Sequence, residues 1–575
     1  MKQHNPYLRF DFSNKNPISF TEPITVISTY EQSEVIPCLQ AIEQYVQAGY
    51  YAAGFLAYEA APAFDRAFEV HNSDQFPLLW FGIFSEAKPA QKRETRPFTM
   101  DEWKLPITAS AYNKNIHQIK HHIENGDTYQ VNYTVPMFSR FAGDTFGYYQ
   151  RLTASQAANY CAYLHIGSHS ILSASPELFF HLQDGLITTK PMKGTAKRGN
   201  TFEEDQAIAE WLYQSEKNRA ENVMIVDLLR NDLGTIAKPG TVHVPQLFTI
   251  ERYPTVFQMT STVTAEVDPD ITAIFKAMFP CGSITGAPKV NTMKIINELE
   301  TAPRNIYCGA IGYMTPQKEA IFNVPIRTVL IDNVSGEATY GVGGGITWDS
   351  TSEEEYEEML SKTLVLKKQM NDFELLESIR LENGKFSLLD YHLKRIAKSA
   401  AIFSYPFEVA KMELQLEQIA TQWNTGAYKL RVLLANTGEI TTEVQPIKTN
   451  QQHTFKVKLA QQAIDKSNPF YYHKTTRREM YHTFLQDHPD ADDVLLWNTE
   501  LEVTEFTIGN VVVEINGAFY TPPVHCGLLP GTCRQHALDK GMISEKIITM
   551  KDLQSCSRIW LINSVRGWVS VTLDS

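Results

Sequence analysis

Apolar and polar residues alternate from residue 373 to 382, break at Asn383-Gly384, and resume from 385 to 389. An Asn-Gly pair between two alternating runs predicts a β-hairpin, because both residues tolerate the positive φ of a tight turn. The spacing then becomes helical from Tyr391 to about Phe403. A second hairpin is predicted over residues 511–515, Asn516-Gly517 and 518–521. Upstream, residues 352 to 370 predict a helix with an acidic start (Glu353, Glu354, Glu355, Glu357, Glu358) and a basic end (Lys362, Lys367, Lys368), an order that suits the helix dipole. The change of pattern after this helix puts a domain boundary near residue 370. It leaves units of 1–370 and 371–575, and the first is read as an N-terminal part, 1–105, and a catalytic core, 106–370. Residues 1–12 hold no sustained apolar run, and no later run reaches about 18 apolar residues, so neither a secretory signal nor a membrane span is expected.

Composition narrows the partners. A chain of 575 residues with 43% hydrophobic content exceeds what one core organises, in agreement with two or more domains. A net charge of -13 disfavours nucleic acid and anionic membrane surfaces and leaves a small metabolite as the expected ligand. Seven cysteines, without zinc spacing, suit a reducing, cytoplasmic setting. None sits in a Gly-x-Cys-x-Gly setting, so no glutaminase is expected within the chain.

Candidate chemistry gathers in two places. Glu355 and Glu358 share a helix face with Lys362 one turn on, and Glu221 opens the run 221–232. Carboxylates from two helices, completed by water and a substrate oxygen, would suit Mg²⁺, although spacing alone favours a solvated helix face. The glycine run 341–345 could offer backbone N–H groups to an anion or be a plain turn. In the second unit, Lys474 and Glu505 would be ordinary surface charges if read alone.

The ordered set is more specific. Residues 123–132 (Ile-Glu-Asn-Gly-Asp-Thr-Tyr-Gln-Val-Asn), 173–177 (Ser-Ala-Ser-Pro-Glu), 191–195 (Pro-Met-Lys-Gly-Thr), 221–232, 282–289 (Gly-Ser-Ile-Thr-Gly-Ala-Pro-Lys), 326–328, the glycine run and 349–362 resemble the chorismate-binding family. That resemblance implies Glu221 and Glu358 as Mg²⁺ ligands, Glu355 on a metal-bound water, and Arg327, the backbone of Gly343 and Gly345, Thr285, Lys289 and Lys362 on substrate. Three positions sort its reactions. Gln130 stands where isochorismate-forming members have a lysine that activates water, and an amide cannot act as a base. Gln258 stands where many members have a histidine linked to pyruvate elimination. Lys193 stands where aminodeoxychorismate-forming members have lysine and anthranilate-forming members alanine. The implied reaction is amination of chorismate at carbon 4, with Lys193 attacking carbon 2 and Glu177 as general acid. Ammonia would come from a separate glutamine amidotransferase. Asn218 departs from the pattern, replacing an acid that often accompanies Glu221.

Residues 372–575 resemble fold-type IV pyridoxal-phosphate enzymes, most closely the aminodeoxychorismate lyases, through 473–478 (His-Lys-Thr-Thr-Arg-Arg), 504–510, 527–534 and Asn563-Ser564. The resemblance implies that Lys474 bonds the aldehyde of pyridoxal 5'-phosphate, Glu505 keeps its ring nitrogen protonated, and Arg395, Thr532 and Ser564 bind its phosphate. Together the resemblances imply an α+β / α/β multidomain chain. It would have a large β-sandwich-like two-sheet core with helices, followed by a two-subdomain fold-type IV domain that forms a homodimer. The implied product is 4-aminobenzoate, made by elimination of pyruvate, for folate synthesis. Rival readings are an anthranilate-type synthase fused to a branched-chain or D-amino-acid aminotransferase-like domain, and a sensor of chorismate-like acids without turnover.

Overall fold

The computed structural model describes residues 6–12, 16–73, 75–156, 158–254, 256–367, 373–447 and 454–574. Contacts group the chain into two units, residues 1–197 with 209–370, and residues 198–208 with 371–575. The boundary expected near 370, and Lys368 with it, lie outside the described residues. The grouping of 198–208 with the second unit was not visible in the sequence.

Among the described residues unit 1 holds two ten-stranded sheets. Leu8, Phe10 and Ile171 from one sheet and Phe55, Trp80 and Ile321 from the other share a buried apolar cluster, so the sheets face each other. The outer face of each is covered by helices. Helices Val35–Gln47, Glu216–Gly234 and Ile271–Met278 bury Leu39, Ile225 and Phe275 with one sheet. Helices Ala109–Glu124 and Ser352–Lys367 bury Ile116 and Met359 with the other. Strand Gln130–Gly143 is buried over its first six residues and pairs in antiparallel register with Glu337–Ile346, setting Gly345 opposite Asn132 and Gly343 opposite Thr134. A strand covered by the second sheet on one face and by helices on the other is buried on both faces.

Unit 2 contains a four-stranded and an eight-stranded sheet. Leu375–Glu382 and Ala427–Leu434 of the smaller sheet bury Ile379, Leu430 and Val432 under helix Leu389–Phe403. Both expected hairpins form, with Asn383 and Gly384 at φ 47° and 74° and Asn516 and Gly517 at 52° and 78°. The return strand of the first is shorter than expected, Lys385–Phe386, because Leu388 takes a left-handed φ of 55° and the helix starts at Leu389. Among the described residues no helix is long and apolar enough to cross a membrane.

Candidate active sites

Unit 1 encloses a cavity of about 540 Å³. One wall is strand Met192–Lys197, which carries Lys193. At Gly194 the chain has φ 86°, and a Cβ there would stand 3.0 Å from the Asn218 side chain, so glycine both permits the conformation and lets the helix Glu216–Gly234 approach. That helix brings Glu221 to the cavity. The opposite wall is the glycine run: a Cβ on Gly345 would lie 2.3 Å from Gln130 Nε2 and 3.0 Å from Lys193 Nζ. Gln130 is fully buried with both carboxamide atoms unpartnered. Glu177, also buried, accepts a hydrogen bond from Ser283 Oγ at 2.5 Å. Burial pushes its carboxyl up to about 7, against the opposing pull of Ser283 and Lys193. Burial likewise lowers the Lys193 ammonium, while Glu221 and Glu177 work to keep it charged. A buried acid whose carboxyl is raised to about 7 therefore shares a cavity with an amine inclined to lose its proton.

Helix Ser352–Lys367 supplies the remaining charges. Ser350 Oγ donates to Glu355 at 2.6 Å, and Lys362 Nζ pairs with Glu358 at 2.7 Å while donating to Gly343 O at 2.8 Å. Arg327, held at a left-handed φ of 53°, donates through Nη1 to Lys362 O at 2.7 Å. Burial and Glu358 raise Glu355 to about 7; burial also raises Glu221, with Glu358 and Asp349 adding to it, whereas Lys362 holds Glu358 down. Among the described residues no three His, Cys, Asp or Glu side chains form a closed metal cage. Mg²⁺ needs no such cage, since one or two carboxylates with water and substrate oxygens complete its octahedron. Mutually repelling carboxylates that line one cavity fit a divalent cation, with Glu221 and Glu358 as the residues to hold it.

Unit 2 has a cavity of about 280 Å³ lined by Lys474, Glu505, Arg395, Thr532 and Ser564. The Lys474 backbone is fixed by Leu376 N–H, which donates to its carbonyl at 2.9 Å. Burial lowers its ammonium to about 7, and Arg395 and Arg478 push the same way. Glu505 accepts hydrogen bonds from Tyr481 Oη at 2.8 Å and Asn510 Nδ2 at 3.2 Å, while burial raises its carboxyl to about 8. Arg395 forks onto Glu377, Nε to Oε1 at 2.8 Å and Nη2 to Oε2 at 2.6 Å, and His392 Nδ1 lies 2.6 Å from the same carboxylate. Thr532 opens helix Thr532–Asp539, whose first N–H groups join Arg395 as an anion cup. A Cβ on Gly531 would stand 1.9 Å from Asn510 Oδ1, so any larger residue here would displace the Asn510 side chain that bonds Glu505. An amine inclined to neutrality, a buried acid and an anion cup in one cavity fit pyridoxal phosphate, an aldehyde with a basic ring nitrogen and a phosphate.

The family model described as chorismate binding enzyme matches residues 5–368, more than half of the chain. The chain belongs to the chorismate binding enzyme family. This chorismate binding enzyme is 41% identical over 277 residues to aminodeoxychorismate synthase component 1 of Salmonella typhimurium, covering 48% of its own chain and 61% of the relative. It is 37% identical over 268 residues to anthranilate synthase component 1 of Acetivibrio thermocellus, covering 46% and 54%. It thus spans about three fifths of the length of the aminodeoxychorismate synthase relative. The crystal structure of anthranilate synthase component I from Streptococcus pneumoniae TIGR4 shares the fold, with TM-score 0.51 and 24% identity over 64% of this chain and 91% of that one. Residues 374–573 match the model for amino-transferase class IV.

Two residues of this chorismate binding enzyme expected on substrate do not line its cavity. Lys289 Nζ donates to Asp232 Oδ2 at 3.0 Å and Met278 O at 3.2 Å, and Thr285 Oγ1 donates to Cys281 O at 3.1 Å. Thr285 closes the turn that carries Ser283 to Glu177, and Lys289 ties the start of its own helix to Asp232 and Met278. Ser283 itself went unrecognised as a separate functional residue, although it lies in the quoted run 282–289. Glu377, Tyr481 and Asn510 were also missed; Glu377, a carboxylate on a strand face, carries no sequence signal until its partners Arg395 and His392 are known.

Proposed function

We propose that the chain converts chorismate to 4-aminobenzoate in two steps, unit 1 making 4-amino-4-deoxychorismate and unit 2 removing pyruvate. Neutral Lys193 attacks ring carbon 2; the ring double bond shifts and the carbon 4 to oxygen bond breaks, with Glu177 protonating the leaving hydroxyl as water. Ammonia then adds at carbon 4, the double bond shifts back, and Lys193 departs with its bonding pair while Glu177 regains a proton. Glu221 and Glu358 would hold Mg²⁺, which supplies positive charge to the substrate carboxylate. The observation that carries this reading is the buried Glu177, its carboxyl raised to about 7, in one cavity with Lys193. Gln258 adds support: its amide accepts from Thr195 Oγ1 and donates to Gly194 O, both at 3.1 Å, and it has no basic nitrogen for a lyase step in this cavity.

In unit 2, bound pyridoxal phosphate supplies the electron sink. Lys474 takes the proton from the carbon that bears the amine, and pyruvate leaves from the adjacent carbon as the ring becomes aromatic. A separate glutamine amidotransferase supplies the ammonia, the C-terminal units pair as a homodimer, and the protein works in the cytoplasm. The test is a product assay with chorismate, Mg²⁺ and ammonium, with and without pyridoxal phosphate. 4-Aminobenzoate should appear with the cofactor and 4-amino-4-deoxychorismate should accumulate without it. Formation of anthranilate would replace this reading with the anthranilate-type rival, and no turnover of chorismate would leave the sensor.

A further inference from the structure

The strand that carries Lys193 is not regular. Met192 pairs with Thr260 and Thr195 with Gln258, so three steps along strand Met192–Lys197 face two along strand Val256–Glu266. The extra residue makes a β-bulge, and it falls on Lys193-Gly194. Gly194 takes its φ of 86° within it. Among the described residues this strand pairs with no other, so no second strand holds the register from its far edge. A bulge re-aims a side chain but costs ladder bonds, because the backbone groups of the extra residue have no partner opposite them. Here the missing partner is a side chain. Gln258 Nε2 donates to Gly194 O at 3.1 Å, and Gln258 Oε1 accepts from Thr195 Oγ1 at 3.1 Å. Phe257 and Met259 on either side of it are fully buried, so alternation turns Gln258 to the opposite face, where it lines the cavity with Lys193.

A carboxamide offers a donor and an acceptor from one planar group, and the carbonyl and the hydroxyl need both at once. The bulge has a second anchor, which is steric: the Asn218 side chain lies 3.0 Å from where a Cβ on Gly194 would stand. The backbone beside Lys193 is thus held between a helix side chain and the Gln258 amide. We propose that Gln258 is a positioning residue, which bridges Gly194 O and Thr195 Oγ1, locks the bulge and so fixes the point from which the Lys193 amine reaches its target. A lysine amine rides on a flexible four-carbon stem, and a fixed Cα is what limits where it can go. The consequence for turnover rests on the amination reading of unit 1, in which the amine must come within about 3.5 Å of ring carbon 2. Acting through Lys193, Gln258 should set the rate of the chemical step and leave substrate binding alone.

The test uses the full chain with Mg²⁺ and pyridoxal phosphate, and three variants. Gln258→Met keeps the length of the side chain and removes both hydrogen bonds. Gln258→Glu keeps the acceptor but sets a second oxygen against Gly194 O, whereas Gln258→His can donate to that carbonyl again in its neutral form. With chorismate and ammonium, kcat should fall about 10²-fold in the Met and Glu variants and about tenfold or less in the His variant, with KM for chorismate unchanged. Hydrogen exchange in the peptide over residues 192–197 should be about tenfold faster in the Met variant, the weight of one hydrogen bond, while the rest of unit 1 exchanges as in the wild type. Wild-type kcat in the Met variant overturns the proposal. A raised KM with kcat intact does so too, since it would put Gln258 on substrate, and so does a lower kcat without faster exchange over 192–197. Should the Gln258 variants fail to fold, Thr195→Val removes one of the two bonds: a smaller loss in both readouts supports the proposal, and no change in either overturns it. If the wild type does not aminate chorismate, the amination reading falls, and the exchange comparison alone decides whether Gln258 locks the bulge.

Discussion

Each unit sets a partly buried reactive lysine in its cavity, Lys193 in one and Lys474 in the other, and their charged surroundings differ. Burial, with Lys362, lowers the Lys193 ammonium, and Glu221, Glu177 and Glu358 oppose that shift without overturning it. Burial of Lys474 is reinforced by Arg395 and Arg478, which outweigh the opposing Glu377 and Glu505 and take the ammonium to about 7. The difference suits different partners. An amine among acids can serve a site where a cation is to be held and an acid must keep its proton. An amine among guanidiniums is set to be neutral near neutral pH and to meet anions. The same residue type thus becomes two reagents through its neighbours.

The sharpest way to break the comparison is to remove each lysine in turn. Lys193→Ala should cut chorismate consumption by about 10³-fold and leave cofactor absorbance intact. Lys474→Ala should abolish that absorbance and 4-aminobenzoate formation by a similar factor, while 4-amino-4-deoxychorismate continues to form. If both variants lose the first reaction equally, the division of labour is wrong. Next in size is Gly345→Ala: its Cβ would crowd Gln130 Nε2 and Lys193 Nζ, so unit 1 turnover should fall about 10²-fold with the second reaction untouched.

The pH dependence should also separate the units. Glu177 must be protonated to act as an acid, and its carboxyl titrates at about 7, so kcat/KM for chorismate should fall about tenfold per pH unit above that point. Ser283→Ala removes a hydrogen bond that favours the carboxylate, and the falling limb should move to higher pH. A limb that stays in place would mean another group is being titrated. The smallest expected effect is on stability. Burial pushes Glu377 up, but Arg395 and His392 outweigh it and hold the carboxyl down at about 2, from 4.5. Its contribution is therefore complete above about 4.5 and is lost as pH falls towards about 2, on the order of a few kcal/mol. Calorimetric unfolding across that range should show the loss, and Glu377→Gln should flatten it.

Much of this architecture was legible because the signals were local. The two Asn-Gly hairpins and the helix over Ser352–Lys367 depend on turn chemistry and charge order within a few residues. The set of motifs led to both cavities for the same reason: short runs such as 191–195 and 473–478 travel as units. What escaped depends on pairing across the chain. Lys289 is expected on substrate until Asp232, 57 positions away, claims it. Glu377 carries no sequence signal until the helix Leu389–Phe403 brings Arg395 and His392 to it. The return strand ended early because one residue, Leu388, adopts a left-handed turn that an apolar side chain does not advertise.

The fork between Arg395 and Glu377 has a kinetic consequence. Two of the guanidinium's nitrogens are fixed by Glu377 within the chain itself, so the cup does not depend on a phosphate to hold it in place. Loading should then be a single concentration-dependent phase governed by entry into the cavity, without a slow rearrangement that follows it. A loosened fork, as in Glu377→Gln, would add that second phase.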